Sequence, residues 1–220
     1  MSPDCHLSRL TSNRGYHSME KLTKFQQDGL KGIGNIGAGN AATGLSQMLN
    51  KTVSLSVSKA DISRVERVPE MLGGPEQLVA TVCFRVAGAL PGNILMVFPL
   101  KEALRLVDLL VGRKRGRTKI LDEYSGSALK EIGNICTGSY LMALAEVVKT
   151  KLTHSIPGLA VDMLQAVMDR MLITLACKVE RVVIIETDFS VEKDIVRGHF
   201  VFLPEPEGLV YLLNAIGGRN

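Results

Sequence analysis

Two hydrophobic periods alternate along the chain. The segments LTKFQQDGLKGIGNIGAG and SALKEIGNICTG carry apolar residues at helical spacing, and in the second of them Leu129, Ile132 and Ile135 form an apolar face of the kind a helix needs to dock on a sheet. Other stretches are β-branched and either alternate or stay apolar: VSLSVS at 53–58, LVATVCFRVAG at 78–88 and VERVVIIETDFSVE at 179–192. These predict strands. VFPLKEALRLVDLLVG at 97–112 and VFLPEPEGLVYLLNAIG at 201–217 each read as a strand running into a short amphipathic helix that stops at glycine. A further helix is expected from about Leu159 to Leu175. Residues 1–20 are polar and without period, and read as a disordered leader.

The pattern repeats. LKGIGNIGAG at 30–39 recurs as LKEIGNICTG at 129–138, an offset of 99 residues, and the strand–helix endings echo each other in the same order. The chain from 21 to 217 is therefore expected to be a single domain of two tandem repeats, 21–112 and 121–217. Strands follow one another instead of alternating strictly with helices, which predicts an α/β (α+β) fold with two pseudo-symmetric halves: a mainly antiparallel sheet carrying two long repeated helices.

Composition narrows the function. Hydrophobic residues make up 46% and charged residues 22% of 220 residues, the balance of a globular domain. No window approaches the apolar length of a membrane span, and the first twenty residues lack a signal-peptide core, so a cytoplasmic protein is expected, without membrane contact. Cys5, Cys83, Cys136 and Cys177 are widely separated, with no zinc-ligand spacing, and read as unpaired thiols with no metal site. A net charge of +4 matches a single run, Arg113, Lys114, Arg115, Arg117 and Lys119, at the join between the halves.

Chemistry concentrates on the repeated helices. Ser127, Glu131 and Asn134 stand at i, i+4 and i+7 and share one helical face. Taken alone, Glu-x-x-Asn on a helix is an ordinary solvent-facing pattern. Asparagine is a mediocre helix former, however, and it occurs at the same place in both repeats, as Asn35 and Asn134.

With these residues the chain resembles the CheC, CheX and FliY phosphatases, whose pattern is Asp or Ser, three residues, Glu, two residues, Asn, twenty-two residues, Pro. Ser127, Glu131, Asn134 and Pro157 match at every position. In the first half Asp28 and Asn35 match, while Gly32 and Ser58 stand where glutamate and proline belong, so one working site is expected, on the second helix. The resemblance implies hydrolysis of the aspartyl phosphate of a CheY-like response regulator. Asn134 would orient the attacking water, Glu131 would pair with the regulator's lysine, and Ser127 and Pro157 would support them. It also implies that Mg2+ is supplied by the regulator, with no cofactor bound by this chain. The deamidase CheD is an implied second partner, and the predicted helix around Asp162 to Asp169 is a candidate surface for it. A monomer is expected, because the fused repeat already supplies a pseudo-dimer.

A different class of function stays open: a non-catalytic adaptor that binds CheD, phosphorylated CheY or both, in keeping with the degenerate first set. GIGNIG at 32–37 satisfies the dinucleotide pattern GxGxxG, but a polar helix start precedes it where the fingerprint needs a strand. The glycines are expected instead to bring the first helix close to a neighbour, including its symmetric partner. The basic run lacks interleaved aromatics, so no nucleic-acid partner is expected. His154 and His199 are isolated, and Cys136 has no histidine spaced to activate it.

Overall fold

The computed structural model describes residues 22–175, 179–191 and 194–217. Helix α1 (Lys24–Leu49) opens on a capping box, in which the Thr23 hydroxyl accepts from the Gln26 amide while the Gln26 side chain accepts from Thr23 N–H. Strand β1 (Val53–Arg64), a 3-10 turn and the short helix α2 (Val68–Met71) follow. Then come β2 (Leu78–Gly88), β3 (Gly92–Pro99) and α3 (Leu100–Leu110). The second half repeats this order: α4 (Glu123–Val148), β4 (Leu152–His154), β5 (Gly158–Met163), α5 (Leu164–Thr174), β6 (Arg181–Val191), β7 (Asp194–Pro204) and α6 (Pro206–Ile216).

All pairings in the seven-stranded sheet are antiparallel, in the order β1-β6-β7-β3-β2-β4, with β5 also on β2. This is the expected fold class. The order is symmetric about the β7–β3 contact, and it interleaves the repeats: β1 of the first half pairs with β6 of the second, whereas β4 and β5 pair with β2. β3 shows how the pleat divides the core. Ile94, Met96 and Phe98 face α1, α4, α3 and α6, while Leu95 and Val97 face the smaller layer made by α2 and α5. Both faces of the sheet are thereby covered.

The helix expected from Leu159 to Leu175 begins only at Leu164; Gly158–Met163 is a strand, paired with β2 from Cys83 to Leu78. Asp162 is therefore a strand residue opposite Val79. Of the cysteines, Cys83 and Cys136 are free thiols, and Cys5 and Cys177 lie outside the described residues, as does the predicted leader 1–20. No helix among the described residues is long and apolar enough to cross a membrane.

The two long helices run antiparallel, because Gly37 meets Tyr140 while Gly44, seven residues on, meets Ile135. A Cβ on Gly37 would sit 2.6 Å from Tyr140 Cδ1 and 3.0 Å from its Cα, so this glycine sets the helix separation. The predicted glycine packing is thus divided. Gly37 and Gly44 face the partner helix, Gly34 faces Val57 and Ile185 of the sheet, Gly133 faces Val82, and Gly39 faces open space.

Candidate active site

Helix α4 starts at Asp122, whose carboxylate accepts from the Ser125 amide at 2.8 Å, and hydrogen bonding with Ser125 holds the Asp122 carboxyl below its ordinary range. From this cap the helix presents Ser127 and Glu131 exposed and Asn134 half-buried on one face. Leu129 and Ile132 are buried against the sheet, and Ile135, expected with them, is half-buried beside Gly44 of α1. Among the described residues neither Glu131 nor Asn134 makes a side-chain hydrogen bond or ion pair within the chain. Their hydrogen-bonding capacity is not taken up by the described residues.

Pro157 belongs to the same neighbourhood through the sheet. His154 Nε2 lies 3.7 Å from where a Cβ on Gly138 would stand, and Leu159 packs on Gly126. The chain between these anchors passes alongside the helical turns that hold Glu131 and Asn134. Here the partner strand advances three residues, Val86 to Cys83, while this one advances four, His154 to Gly158, so Pro157 sits in a bulge where no ladder N–H is required of it. Ser155 closes the bulge: its amide donates to the Arg85 carbonyl at 2.9 Å, and its hydroxyl accepts from the Arg85 amide at 3.0 Å. The first half has the same irregularity. Val57 faces Thr187 and Lys59 faces Glu186, leaving Ser58 as the bulged residue.

On α1 the corresponding face carries Asp28, Gly32 and Asn35, all exposed. Antiparallel packing puts Asn134 level with Gly44, so the two asparagines stand roughly 14 Å apart along the helix axis at about 1.5 Å per residue. The structure brings together Ser127, Glu131, Asn134 and Pro157, and it holds Asp28 and Asn35 apart from them. Asp162 lies elsewhere, on β5, with its carboxylate 2.9 Å from Arg170.

One feature of both stripes escaped the sequence reading. Phe25 and Tyr124 are equivalent positions at the offset of 99, each one turn before its stripe, and both are exposed. The repeat itself held the signal. Ile156, next to Pro157, is 89% exposed, and nothing in the local pattern separates it from a core residue.

The remaining reactive groups lie off this face. Burial pushes the Cys136 thiol up to about 12 and Cys83 up to about 11, so neither is a thiolate at neutral pH. His199 is lowered by burial, with an opposing pull from Glu186. Among the described residues no group of three or more His, Cys, Asp or Glu side chains is placed to hold a metal ion.

The CheC-like family matches residues 25–57 and 125–160, which are the two long helices with the strands that follow them. The chain is 32% identical over 201 residues to the CheY-P phosphatase CheC of Bacillus subtilis, covering 89% of this chain and 96% of that protein. It is 28% identical over 140 residues to the flagellar motor switch phosphatase FliY of the same organism, of which it spans 36%. The crystal structure of Thermotoga maritima FliY superposes with a TM-score of 0.71 at 22% identity, over 90% of this chain and 99% of that one. With a relative matched at this identity over nearly its whole length, and with both repeated helices inside the matched segments, the chain belongs to the CheC-like family.

Proposed function

We propose that this chain is a phosphatase that hydrolyses the aspartyl phosphate of a CheY-like response regulator, with Asn134 orienting the attacking water. The observation that supports it best is an exposed Glu131 and a half-buried Asn134, one turn apart on one face and both without side-chain partners among the described residues, in a protein alike over almost its full length to a CheY-P phosphatase. An acyl phosphate is already activated, so the reaction needs a water in line with phosphorus more than a strong base. The carboxamide of Asn134 accepts from that water and donates toward a phosphoryl oxygen while staying neutral. Water oxygen bonds to phosphorus, the bond from phosphorus to the aspartyl oxygen breaks, and free carboxylate and inorganic phosphate leave. Glu131 pairs with the regulator's lysine, Ser127 and Pro157 support the contact, and the Mg2+ ion is the regulator's.

Gly32 favours a second role for the first helix. Without the carboxylate, the face of Asp28 and Asn35 binds a partner and does not turn it over. CheD is proposed at the surface around Asp162, where Leu78, Val161 and Met163 are exposed beside the Asp162–Arg170 pair. A monomer in the cytoplasm completes the proposal.

The test is decay of the Mg2+-bound phosphorylated regulator with wild type, Asn134→Ala and Asn35→Ala in separate reactions. Acceleration that Asn134→Ala abolishes and Asn35→Ala spares is the expected result. No acceleration by wild type, with or without CheD, leaves the adaptor reading in its place.

A further inference from the structure

The basic run between the halves is not a loose loop. Asp108, 1% exposed near the end of α3, accepts from the amides of Arg117 at 3.0 Å and Thr118 at 2.9 Å and from the Thr118 hydroxyl at 2.6 Å. The Arg113 amide donates to the Asp108 carbonyl, and the Arg113 guanidinium donates to Thr118 Oγ1 at 3.3 Å. Asp108 therefore fixes the loop at both ends, through its backbone carbonyl at Arg113 and through its buried carboxylate at Arg117 and Thr118.

The same loop is pinned to the helix that carries Glu131 and Asn134. Arg113 stacks over the Tyr124 ring, 5.8 Å from its centroid, and Tyr124 is one turn before Ser127 on the same face. Tyr124 is 61% and Ile120 72% exposed, and Ile156, next to Pro157, is exposed as well. Among the described residues Lys114, Arg115, Arg117 and Lys119 are exposed and form no ion pair. Arg113 lies roughly 10 Å along the helix axis from Glu131, which is comparable with the Debye length of about 8 Å at physiological ionic strength.

We infer that the Asp108-anchored loop 113–119 is a docking arm for the acidic surface around the partner's phosphoryl-bearing aspartate, delivering that surface onto the Ser127–Asn134 stripe. This deepens the phosphatase reading and rests on it for the partner's identity. Charge complementarity carries it: a regulator site built of carboxylates and a phosphoryl group repels Glu131, and the neighbouring cations reverse the local potential. Tyr124 at the start of the polar stripe and Ile156 next to Pro157 supply exposed apolar contact, the usual make-up of a binding patch. Long-range charge acts on encounter, so the arm governs association and KM and leaves the chemical step alone.

The experiment compares wild type with Lys114→Ser/Arg115→Ser/Lys119→Ser, three exposed changes that leave the backbone hydrogen bonds of the loop in place. Binding of the regulator loaded with beryllium fluoride is titrated at low and at physiological ionic strength, alongside turnover of the phosphorylated regulator. The expected result is about a tenfold loss of affinity at low salt that narrows as salt rises, with KM raised and kcat held. Equal affinity, or a loss that does not change with salt, overturns the docking arm. If wild type binds without turning over and the variant binds more weakly, the arm stands and the phosphatase reading falls. If wild type neither binds nor turns over, both fall.

Discussion

Glu131 and Asn134 differ in what a substitution removes. Glu131→Gln keeps reach and shape but loses the charge offered to the regulator's lysine, whereas Glu131→Lys sets two cations against each other. Binding is expected to weaken by about 1.5–3 kcal/mol for the glutamine and further for the lysine. Equal losses in a titration would remove the ion-pair role. Asp108 offers a test of another kind. Burial raises its carboxyl, but hydrogen bonds from the Thr118 hydroxyl and from the Thr118, Arg117 and Gly116 amides outweigh that and hold it below the ordinary range. A lowered folded-state value means that its contribution to stability is complete above its unfolded value of about 4, and is lost as pH falls through the folded value. Asp108→Asn is therefore expected to be less stable than wild type at neutral pH, with the difference shrinking below about pH 4 in urea melts. At this scale the stripe was legible because its spacing recurs at one offset. The Asp108 anchor was not, since an aspartate in DLLVGRKRGRTK gives no local sign of being buried.

Helix α1 holds two glycines whose substitution should have opposite signs. Gly32 is exposed, and a Cβ there meets nothing within 4 Å, so Gly32→Ala should stabilise the protein by about 0.5–1 kcal/mol through helix propensity. Gly37→Ala drives its methyl into the Tyr140 backbone and should cost about 1–3 kcal/mol. Denaturant midpoints of the two variants check this directly. Tyr140 has little room to yield, because its hydroxyl is bonded to Thr187 at 3.0 Å and its ring stacks on Phe200 at 4.3 Å. The same open space at Gly32 admits a glutamate, so its absence from the first stripe is not imposed by packing. Among the elements, the long strands and the strand–helix endings were legible from period alone. β5 was not: Leu159, Val161, Met163, Leu164, Val167 and Met168 satisfy both periods across its junction with α5, and only pairing with β2 settles which residues extend.

The interleaved sheet has a consequence for the whole molecule. The repeat announced two related halves, but which strand pairs with which is a non-local property, and no local pattern encodes that β1 crosses to β6. Each half lends its long helix and following strand to the hairpin of the other, so neither half closes a core by itself. In a fragment of residues 22–112, β1 lacks β6, the outer edge of β2 lacks β4 and β5, and Val53, Val57 and Phe84 lose part of their cover. Pseudo-symmetry supplies a remedy, because β2 occupies in the first half the place of β6 in the second. Two copies of the fragment can exchange α1 and β1 and rebuild a six-strand order, β1-β2-β3-β3-β2-β1, without the second half. Light scattering coupled to size exclusion is expected to find the fragment either unfolded or as a folded dimer, with the dimer dissociating on dilution together with its helical signal. A folded monomer of 22–112 would mean that the hairpin β2–β3 and helix α1 close a core within one repeat, and the exchange would then be a convenience of the fused chain and not a requirement of the fold.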